Sequence, residues 1–151
     1  MRDLTRRLSH AALAPLLAIA LPALALDFRA VADPAAVLYD APSAKANKVY
    51  VVNRGYPLEV IVNVEGWVKV RDASGGLAWV EGKQLTDKRT VMVRVPVAQI
   101  RQKADDNATV AFQAQQSVIL ELLEVAAGGW VQVRHREGGT GYVKSQQVWG
   151  L

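Results

Sequence analysis

The sequence predicts an all-β chain: two small β-barrels in tandem behind an N-terminal signal peptide. Three observations carry this. A block of residues recurs at a nearly fixed offset, short β-branched runs alternate with glycine turns, and the first 25 residues follow the pattern of a secretory address.

The address comes first in the chain. Arg2, Arg6 and Arg7 form a basic start, Ala11 to Leu21 an apolar stretch, and Pro22 precedes Ala23-Leu24-Ala25, the A-x-A spacing cut by signal peptidase. A membrane anchor is the rival reading. The run from Ala11 to Leu26 has 16 residues and is broken by Pro15 and Pro22, whereas a spanning helix needs about 20 apolar residues. The mature chain is therefore expected to begin at Leu26, to be periplasmic or secreted, and to have no membrane span after cleavage.

Charge and composition then remove several functions. The formal charge of +4 falls to +2 once residues 1–25 are set aside, leaving 15 basic and 13 acidic residues. Nucleic-acid binders concentrate basic residues far more strongly, so no nucleic acid is expected as partner. The sequence has no cysteine, which excludes disulfides, thiolate metal sites and a thiol nucleophile. Its two histidines are His10, in the leader, and His135, flanked by Arg134 and Arg136. Neither a metal site nor a cofactor is expected.

The repeat organises the rest. Gly66-Trp67-Val68-Lys69-Val70-Arg71 returns as Gly129-Trp130-Val131-Gln132-Val133-Arg134, an offset of 63 that also carries Gly75-Gly76 onto Gly138-Gly139. Upstream the offset is 62, relating Leu58-Glu59 to Leu120-Glu121, Tyr50 to Phe112 and Leu38 to Ile100. The change falls between Ile61 and Gly66, where a turn can absorb one residue. Within the first unit, Val49-Tyr50-Val51-Val52 and Leu58 to Val64 read as strands bounded by Asn53-Arg54-Gly55 and Glu65-Gly66. Trp67 to Arg71 alternates, with Val68 and Val70 on one side. Asp72 to Gly76 turns the chain into a further strand at Leu77 to Val80. The second unit copies these elements, and its register assigns Gln113 to Val125 to strand rather than helix.

So short a set of strands must curl to bury a core. The expected core of the first unit is Leu38, Val49, Leu58, Val60, Val68, Val70, Val80 and Leu85. That of the second is Ile100, Val110, Leu120, Leu122, Val131, Val133, Val143 and Val148. The units are expected to span 33–86 and 92–151. Between them Val91, Val93 and Val95 alternate, so the connection is expected to be ordered strand.

In each unit a Gly-Trp-x-x-Val strand, a glycine hairpin, an aromatic-Val pair and a hydrophobic residue five positions on follow in order. These are Gly66 to Val70, Trp79-Val80 and Leu85, then Gly129 to Val133, Tyr142-Val143 and Val148. The pattern resembles the bacterial SH3 (SH3b) family over about residues 35–85 and 97–150. The resemblance implies two tandem small SH3-like barrels and an envelope binding module for peptidoglycan stems or other peptides. Its groove would use Tyr39 and Trp67, with Trp79 as a third aromatic, and Trp130 in the second unit. Val37 to Ala41 resembles the SH3 opening that supplies groove aromatics, but Ala41 stands where a second aromatic belongs. The proline and tyrosine that the family brings to the groove are replaced by Glu81 and Gln84, and by Lys144 and Gln147. Arg101 replaces Tyr39 in the second unit, so ligand binding is expected to centre on the first.

The same aromatics read equally as half-buried cover on small sheets. Trp149, near the terminus, is expected to cap the barrel end. SH3b modules accompany wall peptidases with a catalytic cysteine, which this chain lacks, and its acidic residues form no catalytic pair, so no enzyme is expected. Two functions remain: a module binding a cell-wall peptide through the first groove, or a structural adaptor joining envelope proteins without a small ligand.

Overall fold

The computed structural model describes residues 25–32 and 34–151. Apart from Ala25, the signal peptide expected over residues 1–25 lies outside the described residues. Seven strands form the first half: β1 (Phe28–Val31), β2 (Ala35–Tyr39), β3 (Lys48–Asn53), β4 (Pro57–Val64), β5 (Trp67–Arg71), β6 (Leu77–Glu81) and β7 (Leu85–Thr86). Seven more follow: β8 (Thr90–Val93), β9 (Val97–Arg101), β10 (Val110–Gln115), β11 (Ile119–Val125), β12 (Trp130–Arg134), β13 (Thr140–Lys144) and β14 (Val148–Trp149). The two antiparallel sheets have the orders β3-β2-β6-β5-β4-β1-β7 and β10-β9-β13-β12-β11-β8-β14, the same topology twice. The fold is all-β, and no α-helix occurs among the described residues.

Strand starts in the two halves differ by 62 up to β4 and by 63 from β5 onward. The extra residue lies in the turn between those strands. Val64 pairs directly with Trp67, so Glu65 and Gly66 form a two-residue turn with φ of 46° and 87°. Two positive φ values give a turn whose twist matches the flanking strands. The second half reaches from Ala126 to Trp130 over a longer turn, with Gly128 and Gly129 at positive φ.

Each sheet closes on one apolar cluster. Val31, Leu38, Leu58, Val70 and Val80 meet in the first, and Val91, Ile100, Leu120, Val133 and Val143 in the second. A flat sheet cannot bring side chains of its outer and central strands together, so both sheets are curled. Most of the expected core is found there, with two corrections. Val49 is 51% exposed, because the ladder passes from Leu38↔Tyr50 to Tyr39↔Lys48 and leaves Val49 as the unpaired residue of a β-bulge on an outer strand. Val52 turns inward instead. Val110, on the equivalent outer strand β10, is only half-buried and stays outside the cluster, where Ala114 sits.

One small residue adjusts the second core. Gly141 on β13 lies where a Cβ would come within 2.5 Å of Ile100 Cγ2 and 2.6 Å of the Arg101 carbonyl oxygen. The same place in the first half holds Ala78, and there Leu38 stands where the second half has the β-branched Ile100. The Cγ2 methyl on the branched Cβ of Ile100 stands where a methyl on residue 141 would be.

The β5–β6 turn of the first half is built around Asp72, which is 5% exposed. Its Oδ1 accepts the Ser74 N–H (2.8 Å), the Ser74 hydroxyl (2.6 Å) and the Gly76 N–H (3.0 Å), and its Oδ2 accepts the Tyr50 hydroxyl. Burial pushes the Asp72 carboxyl upward, but these donors outweigh it and hold the group below its ordinary value. Burial and the neighbouring carboxylate together raise Tyr50. In the second half the corresponding residues are Phe112 and His135, whose rings pack at 6.1 Å.

The barrels touch directly. Thr90 Oγ1 donates to the Gly55 carbonyl at 2.6 Å, and Arg89, in the connection, donates to the Gly150 carbonyl of the second unit at 2.8 Å while its guanidinium stands 5.8 Å from the Phe28 ring centre of the first. Trp149 meets Phe28 edge-to-face at 5.1 Å and points Nε1 at the Pro57 carbonyl, 3.4 Å away. Trp149 therefore joins the two units rather than capping its own barrel, because Phe28 presents a ring on the neighbouring surface. Trp149→Ala is expected to lower thermal stability by about 1–2 kcal/mol. It should also separate one calorimetric transition into two, as each barrel loses its neighbour's support.

Candidate functional site

The candidate groove of the first unit lies on the outer face of β5 and β6. Alternation sends Val68, Val70, Ala78 and Val80 into the core, so Trp67, Lys69, Trp79 and Glu81 face outward. Register then makes neighbours of them, with Trp67 opposite Glu81 and Lys69 opposite Trp79. β2 completes the face, since Tyr39 pairs with Trp79 across the strand gap.

The Tyr39 and Trp67 rings meet edge-to-face, with centroids 5.4 Å apart and planes at 87°. Tyr39 is buried and forms the floor, whereas Trp67 and Trp79 are half-buried and show one side to solvent. Lys69 Nζ stands 5.8 Å from the Trp79 ring centre. Glu81 Oε2 accepts from Lys83 Nζ at 2.6 Å, a contact that raises the lysine above its ordinary range. A half-buried pair of tryptophans beside a carboxylate and two ammonium groups can stack on a flat or aliphatic group and orient a short polar backbone.

The second unit presents different chemistry at the same place. Trp130 is buried, with Lys144 opposite it in the ladder and Nζ 5.5 Å from its ring centre. Arg101, in the place of Tyr39, donates to the Ala108 carbonyl at 2.8 Å and to Gln99 Oε1 at 2.9 Å. Lys144 also pairs with Asp106 at 2.7 Å. The result is a polar hollow of about 320 Å³ with a single aromatic in its wall. The structure thus brings Tyr39, Trp67 and Trp79 onto one face and sets Trp130 apart in the other barrel.

Sequence reasoning named Glu81 only as a departure from the family pattern and passed over Lys83. The two-residue spacing of opposite charges, directly after the aromatic-Val pair, is the signal that could have found them. Among the described residues no cluster of histidine, cysteine or carboxylate side chains could hold a metal ion.

Each half of the structure contains one match to the bacterial SH3 domain model, over residues 32–87 and 94–150, each starting just after the first strand of its half. No curated protein matches the chain. Among solved structures it is similar to NlpC2 from Trichomonas vaginalis, at 15% identity and a TM-score of 0.39, covering 84% of this chain and 49% of that one. It is similar to NlpC1 of the same organism at 16% identity and a TM-score of 0.39, covering 93% and 51%. An NlpC/P60 family protein from Bacillus cereus ATCC 10987 matches at 16% identity and a TM-score of 0.35, covering 80% and 55%. The chain spans about half the length of these proteins. Bacterial SH3 domains are generally binding modules. With matched residues covering most of the sequence, on sheets that repeat strand for strand, the chain belongs to the bacterial SH3 domain family and carries two copies of its domain.

Proposed function

We propose that this is an exported, non-catalytic binding module of the cell envelope, which takes a short peptide of the peptidoglycan-stem class on the aromatic face of its first barrel. The observation that carries the reading is the Tyr39–Trp67 pair, flanked by Trp79 and by the Glu81–Lys83 ion pair. The aromatic surface supplies contact area at small entropic cost. The adjacent charges match the carboxylates and amine of a stem peptide.

Titration with soluble muropeptides, followed by amide shifts, tests this. Shifts are expected at Tyr39, Trp67, Trp79 and Lys83, with little change at Trp130. Trp67→Ala is expected to weaken binding by roughly thirtyfold, the effect of losing an aromatic anchor. Circular dichroism confirms that the variant is folded. A folded Trp67→Ala chain with wild-type affinity, or a wild-type chain with no shifts, would refute the proposal and favour the adaptor role.

A further inference from the structure

We infer a second binding site in the cleft between the two barrels, suited to an anionic peptide segment that alternates carboxylates with apolar side chains. The cleft has a volume of about 1210 Å³ and draws its walls from both units. Arg54 comes from the β3–β4 turn and Lys88 from the connection between barrels. Arg134, His135 and Arg136 come from the end of β12 and the turn after it. Glu121 is the one carboxylate among the described residues that line the cleft. It is shared by Lys88 at 3.5 Å and Arg134 at 3.7 Å, so cations outnumber it within its own cluster.

The comparison of the two copies points to the same place. Glu59 and Arg71 form the equivalent pair in the first barrel, at 2.8 Å, and among the described residues no second cation pairs with Glu59. There the next two residues are Asp72, spent on closing its own turn, and Ala73. The second copy has His135 and Arg136 instead, which removes a negative charge and adds a positive one where this barrel faces its neighbour. That arrangement favours an anion by charge complementarity.

The walls also decide what kind of anion fits. Pro34, which is exposed, and Val118 and Ile119, which are half-buried, line the cleft along with the charges. A polyphosphate has nothing to place against them, and its uniform charge would meet Glu121. An extended peptide turns alternate side chains to opposite sides, so carboxylates can face the arginines while apolar side chains cover Pro34, Val118 and Ile119. This site is separate from the aromatic face of the first barrel and does not depend on it.

A fluorescent octapeptide of alternating glutamate and valine serves as probe, with the full mature chain as receptor. Anisotropy is expected to show binding that weakens as salt is raised. Amide shifts should appear at Gly55, Ile119 and His135. Lys88→Glu combined with Arg136→Glu is expected to lower affinity by at least about tenfold. If the double variant does not fold, Arg136→Gln alone, at an exposed turn, should lower it by about threefold. The inference is overturned by no binding, by equal binding of the glutamine–valine peptide, or by shifts at Tyr39 and Trp67 in place of the cleft. Tighter binding of a polyphosphate of equal charge also overturns it, and would mark the cleft as a general polyanion site.

Discussion

Asp72→Ala is expected to destabilise the first barrel by about 3 kcal/mol, the scale set by losing hydrogen bonds to a buried ionised group. The aspartate is 5% exposed and is the acceptor for two backbone N–H groups and two hydroxyls. Alanine leaves the Tyr50 hydroxyl and the turn donors without that partner. Urea unfolding measures the loss, and Asp72→Asn should lose less because its carbonyl oxygen can still accept from the turn. The pH dependence follows from the direction of the shift. The carboxyl is held low in the folded state, so its contribution is complete above the unfolded value of about 3.9 and disappears as pH falls through the folded one. Wild type should therefore weaken in acid by a step that Asp72→Asn lacks. Identical acid profiles for the two chains would remove Asp72 from the account.

Gly141→Ala is the second large effect, expected to cost about 2–3 kcal/mol by overpacking. The added methyl would meet Ile100 Cγ2 at 2.5 Å and the Arg101 carbonyl oxygen at 2.6 Å, so β9 must move. Combining it with Ile100→Leu recreates the leucine and alanine that the first barrel has at these two places and should recover part of the loss. The backbone contact at Arg101 remains, so recovery is incomplete. A double variant no more stable than Gly141→Ala alone would show that the Cγ2 branch of Ile100 is not what requires glycine at 141.

The strands and their repetition were legible because turn glycines, the Trp-x-Val alternation and the one-residue shift are all local marks. The shift was placed between Ile61 and Gly66, and the structure puts it at the hairpin tip. Three features were not legible, each for a physical reason. A β-bulge changes which residues face inward without changing composition, so Val49 read as core while standing out from an outer strand. Phe28 opens a four-residue strand whose partners, Glu59 and Leu85 among the neighbours it brings to β1, are far away in sequence. The contact of Trp149 with Phe28 depends on how two surfaces meet, which leaves no period in either. Of the candidate site, Tyr39, Trp67 and Trp79 could be named from the motif. The burial of Trp130 could not, since its strand differs from that of Trp67 only in having Gln132 where the first has Lys69.

The paired differences between the copies bear on how the chain folds. Tandem domains of the same topology can exchange strands and trap a misassembled form. Here a strand from the wrong copy meets a mismatched neighbour. β6 inserted beside β9 would set the Ala78 methyl against Ile100, and β12 in the place of β5 would offer Tyr50 the histidine ring of the following turn where its carboxylate acceptor belongs. Divergence that keeps every strand but re-matches its contacts works as proofreading: it lets two barrels joined by a three-residue connector, Asp87 to Arg89, each recover its own strands.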